Sequence, residues 1–342
     1  MAKNDGVNKE KISLIEPINN SVVDVYTDVQ KEFINLIKEK GSTCALDWLF
    51  AIKNGRELSY PAPVRLSWKE NGDRYLLEIS ETENFFEPYI VKTDKPFYDV
   101  ENLKIGQTYY WRVNGCDAFS FKTSSNGYRF VKIDGALNVR DLGGINIKQG
   151  LLFRGSDVKG EYEITEQGVR TWKEQLKIKT ELNIRKEKFY DISESLVAGG
   201  VRYKYLPYRP YLEIFEQEHR KGIVDIMEFL ADENNYPIYY HCLGGADRTG
   251  MIALFLRGLL GESDEDILID YELTSLSSYA YGLAEGATTA GFRSRYHDYF
   301  QEFLSVFNTY KGNSLGEKAE NFLLECGVKN ETISKIRKIL AK

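Results

Sequence analysis

Cysteine is scarce in this sequence: four residues in 342, at positions 44, 116, 242 and 326, with no Cys-x-x-Cys pair. That excludes a zinc ribbon and a disulfide framework, so each thiol has to be judged by its neighbours. Histidine is scarcer still, and His219, His241 and His297 stand too far apart for a His-Glu-x-x-His metal site. No Gly-x-Gly and no Gly-Lys dipeptide occurs, which removes the dinucleotide and Walker phosphate loops. Excess positive charge is missing as well. The 45 Lys and Arg face 51 Asp and Glu, a net of -6, and neither half is basic, so nucleic acid is not an expected partner. No run approaches the roughly eighteen apolar residues of a membrane span, so no transmembrane segment is expected. The opening Met1-Ala-Lys-Asn-Asp-Gly carries charge where a signal peptide needs an apolar stretch. The expectation is a cytoplasmic protein, or a secreted one already stripped of its leader.

The length exceeds what one core usually holds and predicts two domains. From Ser21 to Thr123 the apolar residues mostly alternate, as in Val64-Arg-Leu-Ser-Trp68, Tyr75-Leu-Leu-Glu-Ile79, Tyr109-Tyr-Trp-Arg-Val113 and Phe119-Ser-Phe121. Short strands between turns predict an all-β sandwich over residues 1–126. Asn71-Gly72-Asp73 supplies a hairpin turn between two of them. Residues 30–52 break the rhythm with helical spacing (Phe33, Leu36, Ile37, Trp48, Leu49, Ile52) and are expected as a helical insertion in the sandwich.

After the polar boundary Thr123-Ser-Ser-Asn-Gly127, strands alternate with helices. Strands are expected over 151–153, 178–184, 201–206 and 237–242, and helices over 165–176, 222–231 and 249–260. That pattern predicts an α/β domain over 127–342 with a central sheet flanked by helices. The C-terminal part reads as helices, with capping spacings at Ser263 and Ser314 and a glycine stop at Gly327.

His241-Cys-Leu-Gly-Gly-Ala-Asp-Arg-Thr-Gly250 lies where a buried strand hands over to a helix. Such a junction turns backbone N–H groups to a common point, and paired glycines let the loop curl. Cys242 then faces the positive end of a helix and several amides, which favours the thiolate. Arg248 falls on the first helical turn and can fork two N–H groups onto the same oxyanion. The Cys-x5-Arg spacing therefore pairs a nucleophile with the clamp for its target.

Two resemblances follow from these residues. Leu66-Ser-Trp68 and Leu103-Lys-Ile-Gly-Gln-Thr-Tyr-Tyr-Trp-Arg-Val113 resemble a fibronectin type III domain, a family of binding or spacer modules. This implies a protein or carbohydrate partner for the N-terminal part, or a shield for the second domain. The 241–250 loop resembles the signature of bacterial cysteine-based protein tyrosine phosphatases, among them secreted mycobacterial and listerial enzymes, which reads H-C-x-x-G-K-D-R-T-G. Ala136-Leu-Asn-Val-Arg-Asp-Leu-Gly-Gly144 resembles that family's N-x-R-D-x-G-G entry motif. Leu151-Leu-Phe-Arg-Gly-Ser156, Ile178-Lys-Thr-Glu-Leu-Asn-Ile-Arg185 and Asp270-Tyr-Glu-Leu-Thr-Ser275 resemble further stretches.

The resemblance implies phosphate or another oxyanion in the loop and phosphoryl transfer through a phosphocysteine, with no metal or other cofactor. Cys242 would attack phosphorus while Arg248 and the amides of Leu243, Gly244, Gly245, Ala246, Asp247 and Arg248 hold the equatorial oxygens. Thr249 carries a hydroxyl able to ease the thiolate's departure. His241 and Asp141 would support the loop, and Arg140 would brace it and touch phosphate. No Asp stands in 206–213, so Asp247 is the expected general acid, with Asp141, Glu213 and Asp225 as runners-up. Helix N-terminus and Arg248 favour its carboxylate; thiolate and phosphate nearby favour the acid, and the second pair is expected to win when substrate is bound. Ala246 stands where the family has a Lys that goes with phosphoinositide activity. The favoured substrate is thus phosphotyrosine in a peptide or protein, with phosphoserine or phosphothreonine second. A phosphoinositide or inositol-phosphate phosphatase and a catalytically silent phosphopeptide-binding module are the alternatives.

Overall fold

In the computed structural model, which describes residues 12–53, 56–185, 195, 197, 199–278 and 293–342, the chain forms two units. One joins Met1–Val25 to Ala62–Asn126, and the other joins Tyr26–Pro61 to Gly127–Lys342. The first six residues, read above for a leader, lie outside the described residues.

The first unit is built from the period-two segments. Val64, Leu66 and Trp68 are buried and alternate with Arg65 and Ser67, as do Tyr109, Trp111 and Val113 with their neighbours. A three-stranded sheet runs Leu14–Glu16, Val64–Trp68, Phe97–Val100. A five-stranded sheet runs Ser21–Val23, Phe119–Thr123, Thr108–Val113, Tyr75–Ser80, Tyr89–Thr93. Pairing is antiparallel except between Ser21–Val23 and Phe119–Thr123. Trp68 of the smaller sheet meets Trp111 of the larger at 6.5 Å between ring centroids. The hairpin expected at 71–73 is not formed. Val64–Trp68 and Tyr75–Ser80 belong to different sheets, so the turn carries the chain from one to the other. There Gly72 takes φ +114° and its carbonyl accepts from the Tyr75 hydroxyl at 2.8 Å.

The helical segment also departs from expectation. It forms two helices, Asp28–Lys40 and Ser42–Lys53, and belongs to the second unit rather than the first. Thr27 and Gln30 close a capping box at its start. The buried Gln30 amide donates to the carbonyls of Leu58 and Tyr60 at 2.9 and 2.7 Å. Leu58 N–H reaches the Leu276 carbonyl at 2.9 Å, and Glu57 accepts from the Ser277 and Ser278 hydroxyls at 2.9 Å. These satisfied polar contacts, which no periodicity records, decide where the segment packs.

The second unit holds a six-stranded sheet in the order Arg202–Tyr205, Thr180–Asn183, Ile238–His241, Leu152–Gly155, Arg140–Gly144, Tyr128–Phe130. The first four strands are parallel and the last two antiparallel, so Ile238–His241 has parallel partners on both sides. All four of its residues are buried, as a strand covered on both faces requires. Ile238 and Tyr240 enter one apolar core with the helix Asp247–Leu259; Tyr239 enters the other, 4.7 Å from Trp172. The helix expected over 165–176 is α-helical at Glu166–Arg170 and widens to a π-helix over Thr171–Gln175. Helix Asp247–Leu259 is buried from Thr249 onward. The caps at Ser263 and Ser314 and the left-handed stop at Gly327 form as their spacing predicts. No helix among the described residues is long and apolar enough to cross a membrane.

Candidate active site

His241 pairs in register with Gly155 on one side and Asn183 on the other, so Cys242 and its loop follow at the carboxyl edge of the parallel strands. That edge is where open α/β sheets bind ligands. Three consecutive carbonyls of the loop are turned outward onto fixed donors. Leu243 O accepts from Asp157 N–H at 2.8 Å, Gly244 O from the Asn138 amide at 3.1 Å, and Gly245 O from the Asn138 amide at 3.0 Å and Arg154 at 2.9 Å. In a trans peptide the next N–H points opposite to the carbonyl. The amides of Gly244, Gly245 and Ala246 are therefore directed away from these donors, to the other side of the loop. Ala246 at the N-cap of Asp247–Leu259 offers no side-chain acceptor to the first helical turn.

Gly245 shows how closely the loop is seated. Its φ is +65°, and a Cβ there would lie 2.4 Å from the Gly155 carbonyl carbon. No side chain fits without moving the strand beneath.

Behind the loop lies a buried charge cluster. Asp270 pairs with Arg154 at 2.6 Å, Arg257 at 3.3 Å and Arg140 at 3.4 Å. Burial pushes the Asp270 carboxyl upward, but the three guanidinium charges outweigh it and hold it well below the usual carboxylate range. Arg140 also donates to Asn138 at 2.6 Å, and Asn138 in turn holds the loop. Arg140 is 1% exposed and spends itself on Asn138, Asp270 and Thr274, so the expected contact with phosphate is corrected to bracing alone. Asp141 is bonded to Arg129 at 2.6 Å and to the amides of Gly143 and Gly150, away from the pocket, which removes it as a candidate acid. His241 is fully buried, with Nε2 3.1 Å from Glu181 and Nδ1 3.2 Å from the Cys242 carbonyl.

Cys242, Leu243, Gly244, Asp247 and Arg248 line a cavity of about 680 Å³, whose other walls include Tyr211, Glu213, Arg293, His297 and Tyr299. Gly245, Ala246 and Thr249 do not line it. Cys242 is 4% exposed, and all four cysteines are free thiols. Asp247 is gripped by residues that the sequence did not suggest: Arg293 forks onto it at 2.9 and 3.2 Å, and the Tyr211 hydroxyl donates to Oδ1. Burial pushes the Asp247 carboxyl upward; the charge and hydrogen bonds of Arg293, then Tyr211, prevail and hold it below its ordinary range. The ionised form is thus favoured by Arg293, not by Arg248 as expected. Glu213 pairs with Arg209 at 2.6 Å, and Asp225 with Lys221 on an open helix face outside the cavity. The Thr249 hydroxyl is buried with no hydrogen-bond partner, so the expected bond to the thiolate is not made here.

Asn138, Arg154 and Asp270 stand inside stretches noted in the sequence, but only the fold shows that they converge. Arg293, Tyr211 and His297 carried no local signal. Among the described residues, the grouping with metal-ligand spacing is Glu216, Glu218 and His219, none of which lines the cavity.

The model of the tyrosine phosphatase family matches residues 131–342. No curated protein sequence matches the chain. Among solved structures, the core catalytic domain of PP-IP phosphatase SIW14 from S. cerevisiae, in complex with citrate, is 19% identical, covering 48% of this chain and 93% of its own, with TM-score 0.30. P. aeruginosa TpbA is 16% identical, covering 53% and 91%, with TM-score 0.31. The tyrosine phosphatase OH1 from the Orf virus is 13% identical, covering 56% and 86%, with TM-score 0.19. At these overlaps none of them says what this chain acts on.

Proposed function

The chain belongs to the tyrosine phosphatase family, and from that premise we propose that it hydrolyses phosphotyrosine in peptides or proteins through a phosphocysteine intermediate. The observation that carries the reading is Cys242 at the carboxyl end of a central parallel strand, lining one cavity with Arg248 and the helix that Asp247 opens. The aromatic wall formed by Tyr211 and Tyr299, stacked at 6.0 Å, supports an aryl ester.

In the first step Cys242 Sγ attacks phosphorus as the P–O bond to the leaving tyrosine breaks. Arg248 and the loop amides take the equatorial oxygens. Asp247 gives its proton to the departing oxygen. In the second step a water returns a proton to Asp247 and attacks phosphorus, the S–P bond breaks, and phosphate leaves. Thr249, its hydroxyl unspent, is read as the donor that eases the thiolate's departure. His241, Asn138 and Arg154 hold the loop so that it need not reorganise during the reaction. The two-sheet unit is read as a fibronectin type III-like recognition or spacer module, a reading supported by the Trp68–Trp111 packing.

The acid assignment has its own test. With Asp247→Asn, kcat on 4-nitrophenyl phosphate, whose leaving group needs little help, is expected to stay within about fivefold of wild type, while kcat on a phosphotyrosine peptide falls about 10²- to 10³-fold. Equal losses on both substrates would remove Asp247 from the acid role.

A further inference from the structure

Arg293 enters the cavity with its backbone tied to Ser275. Its N–H donates to Ser275 Oγ at 2.7 Å, and that hydroxyl donates back to the Arg293 carbonyl at 2.9 Å. The guanidinium lines the same cavity as Cys242 and Arg248, and its fork on Asp247 spans 46 residues of sequence. With Arg248 committed to the phosphoryl oxygens, Arg293 is the other arginine among the described residues that line the cavity. His297 adds little charge there, because burial and then the Arg293 charge favour its neutral form.

If Asp247 is the acid, as proposed above, it must carry a proton when the ester breaks. Protonation discharges the carboxylate that Arg293 grips, so an anion arriving at that wall would recover the lost attraction. Of the cavity's other carboxylates, Glu213 is already paired with Arg209 and Glu302 is exposed. The aromatic wall beside Arg293 and the exposed Leu212 suit a peptide chain better than a polyphosphorylated ring.

We propose that Arg293 is a specificity-determining latch. It holds Asp247 in the free protein and transfers to an Asp or Glu side chain flanking the phosphotyrosine, which releases Asp247 to act as the acid. The inference rests on the phosphotyrosine reading above. The favoured substrates are therefore phosphotyrosine peptides with acidic neighbours.

The test compares kcat and KM of the full chain on two phosphotyrosine peptides that differ only in having Asp or Ala beside the phosphotyrosine. Hydrolysis of 4-nitrophenyl phosphate that is lost in Cys242→Ser reports separately on the phosphatase reading. Wild type is expected to prefer the acidic peptide by about tenfold in kcat/KM, with part of the gain in kcat. Arg293→Gln should reduce the preference to under about twofold, by slowing the acidic peptide more than the neutral one, and Arg293→Lys should leave an intermediate preference. No preference in wild type, an unchanged preference in Arg293→Gln, or an equal loss on both peptides would overturn the latch. So would faster turnover of an inositol polyphosphate than of the acidic peptide. Should Arg293→Gln fail to fold, Arg293→Lys decides: a reduced preference supports the proposal and an undiminished one refutes it.

Discussion

Cys242→Ser is expected to lower kcat by roughly 10⁴- to 10⁶-fold on any phosphate monoester that the protein hydrolyses, without loss of fold. The substitution exchanges a sulfur for an oxygen at a site 4% exposed, within the same apolar core that holds Tyr240 and Met251. Volume hardly changes, and the loop is held by its carbonyls, not by the thiol. What disappears is the nucleophile, since a serine hydroxyl attacks phosphorus far less readily than a cysteine sulfur. Circular dichroism and melting temperature should match wild type, and oxyanion binding should persist. Residual activity of a few per cent, in a sample free of wild type, would mean that another group attacks phosphorus.

Arg248→Lys is expected to cost about 10²- to 10⁴-fold in kcat/KM despite keeping the charge. Arg248 is half-buried on the first turn of Asp247–Leu259 and lines the cavity beside Cys242. A guanidinium donates two parallel hydrogen bonds to two oxygens of one phosphoryl group, a geometry that an ammonium cannot reproduce. Because those oxygens carry the charge of the transition state, much of the loss should fall on kcat. A fall of less than about tenfold would place the clamp elsewhere. Arg293 would then be the first residue to examine, since it too lines the cavity.

Both predictions concern residues that were legible from sequence, for a physical reason. A strand, a tight loop and a helix N-terminus are local structures, so a nucleophile and its clamp six positions apart are brought together by backbone geometry alone. The residues that hold the loop are not local. Asn138 reaches it across 106 positions and Arg154 across 91. In a sequence, a buried arginine answered by an aspartate looks like any arginine on a solvated face. Asp270 illustrates the point: one carboxylate surrounded by three guanidinium groups, of which Arg154 comes from 116 positions away and Arg140 from 130.

The same distinction explains the departures in the fold. Residues 30–52 have helical spacing whichever unit they join, and the bonds that Leu58 donates to Leu276 and Glu57 accepts from Ser277 and Ser278, just beyond the helices, settle the matter. Asn71-Gly72-Asp73 has turn chemistry that serves a hairpin and an inter-sheet crossing equally. Asp247 stands inside the signature loop and is legible as the candidate acid, but Arg293, which grips it, enters from 46 residues downstream.

The central claim is that the phosphoryl group passes through the sulfur of Cys242. A rapid-quench experiment with a radiophosphorus-labelled phosphotyrosine peptide tests it directly: enzyme near substrate concentration, denaturant quench at millisecond intervals, then proteolysis and location of the label. The account predicts a burst of free tyrosine peptide ahead of phosphate release, with label rising transiently on the peptide that contains Cys242 and absent in Cys242→Ser. Turnover with no burst and no protein-bound label, or label on any other residue, would contradict it.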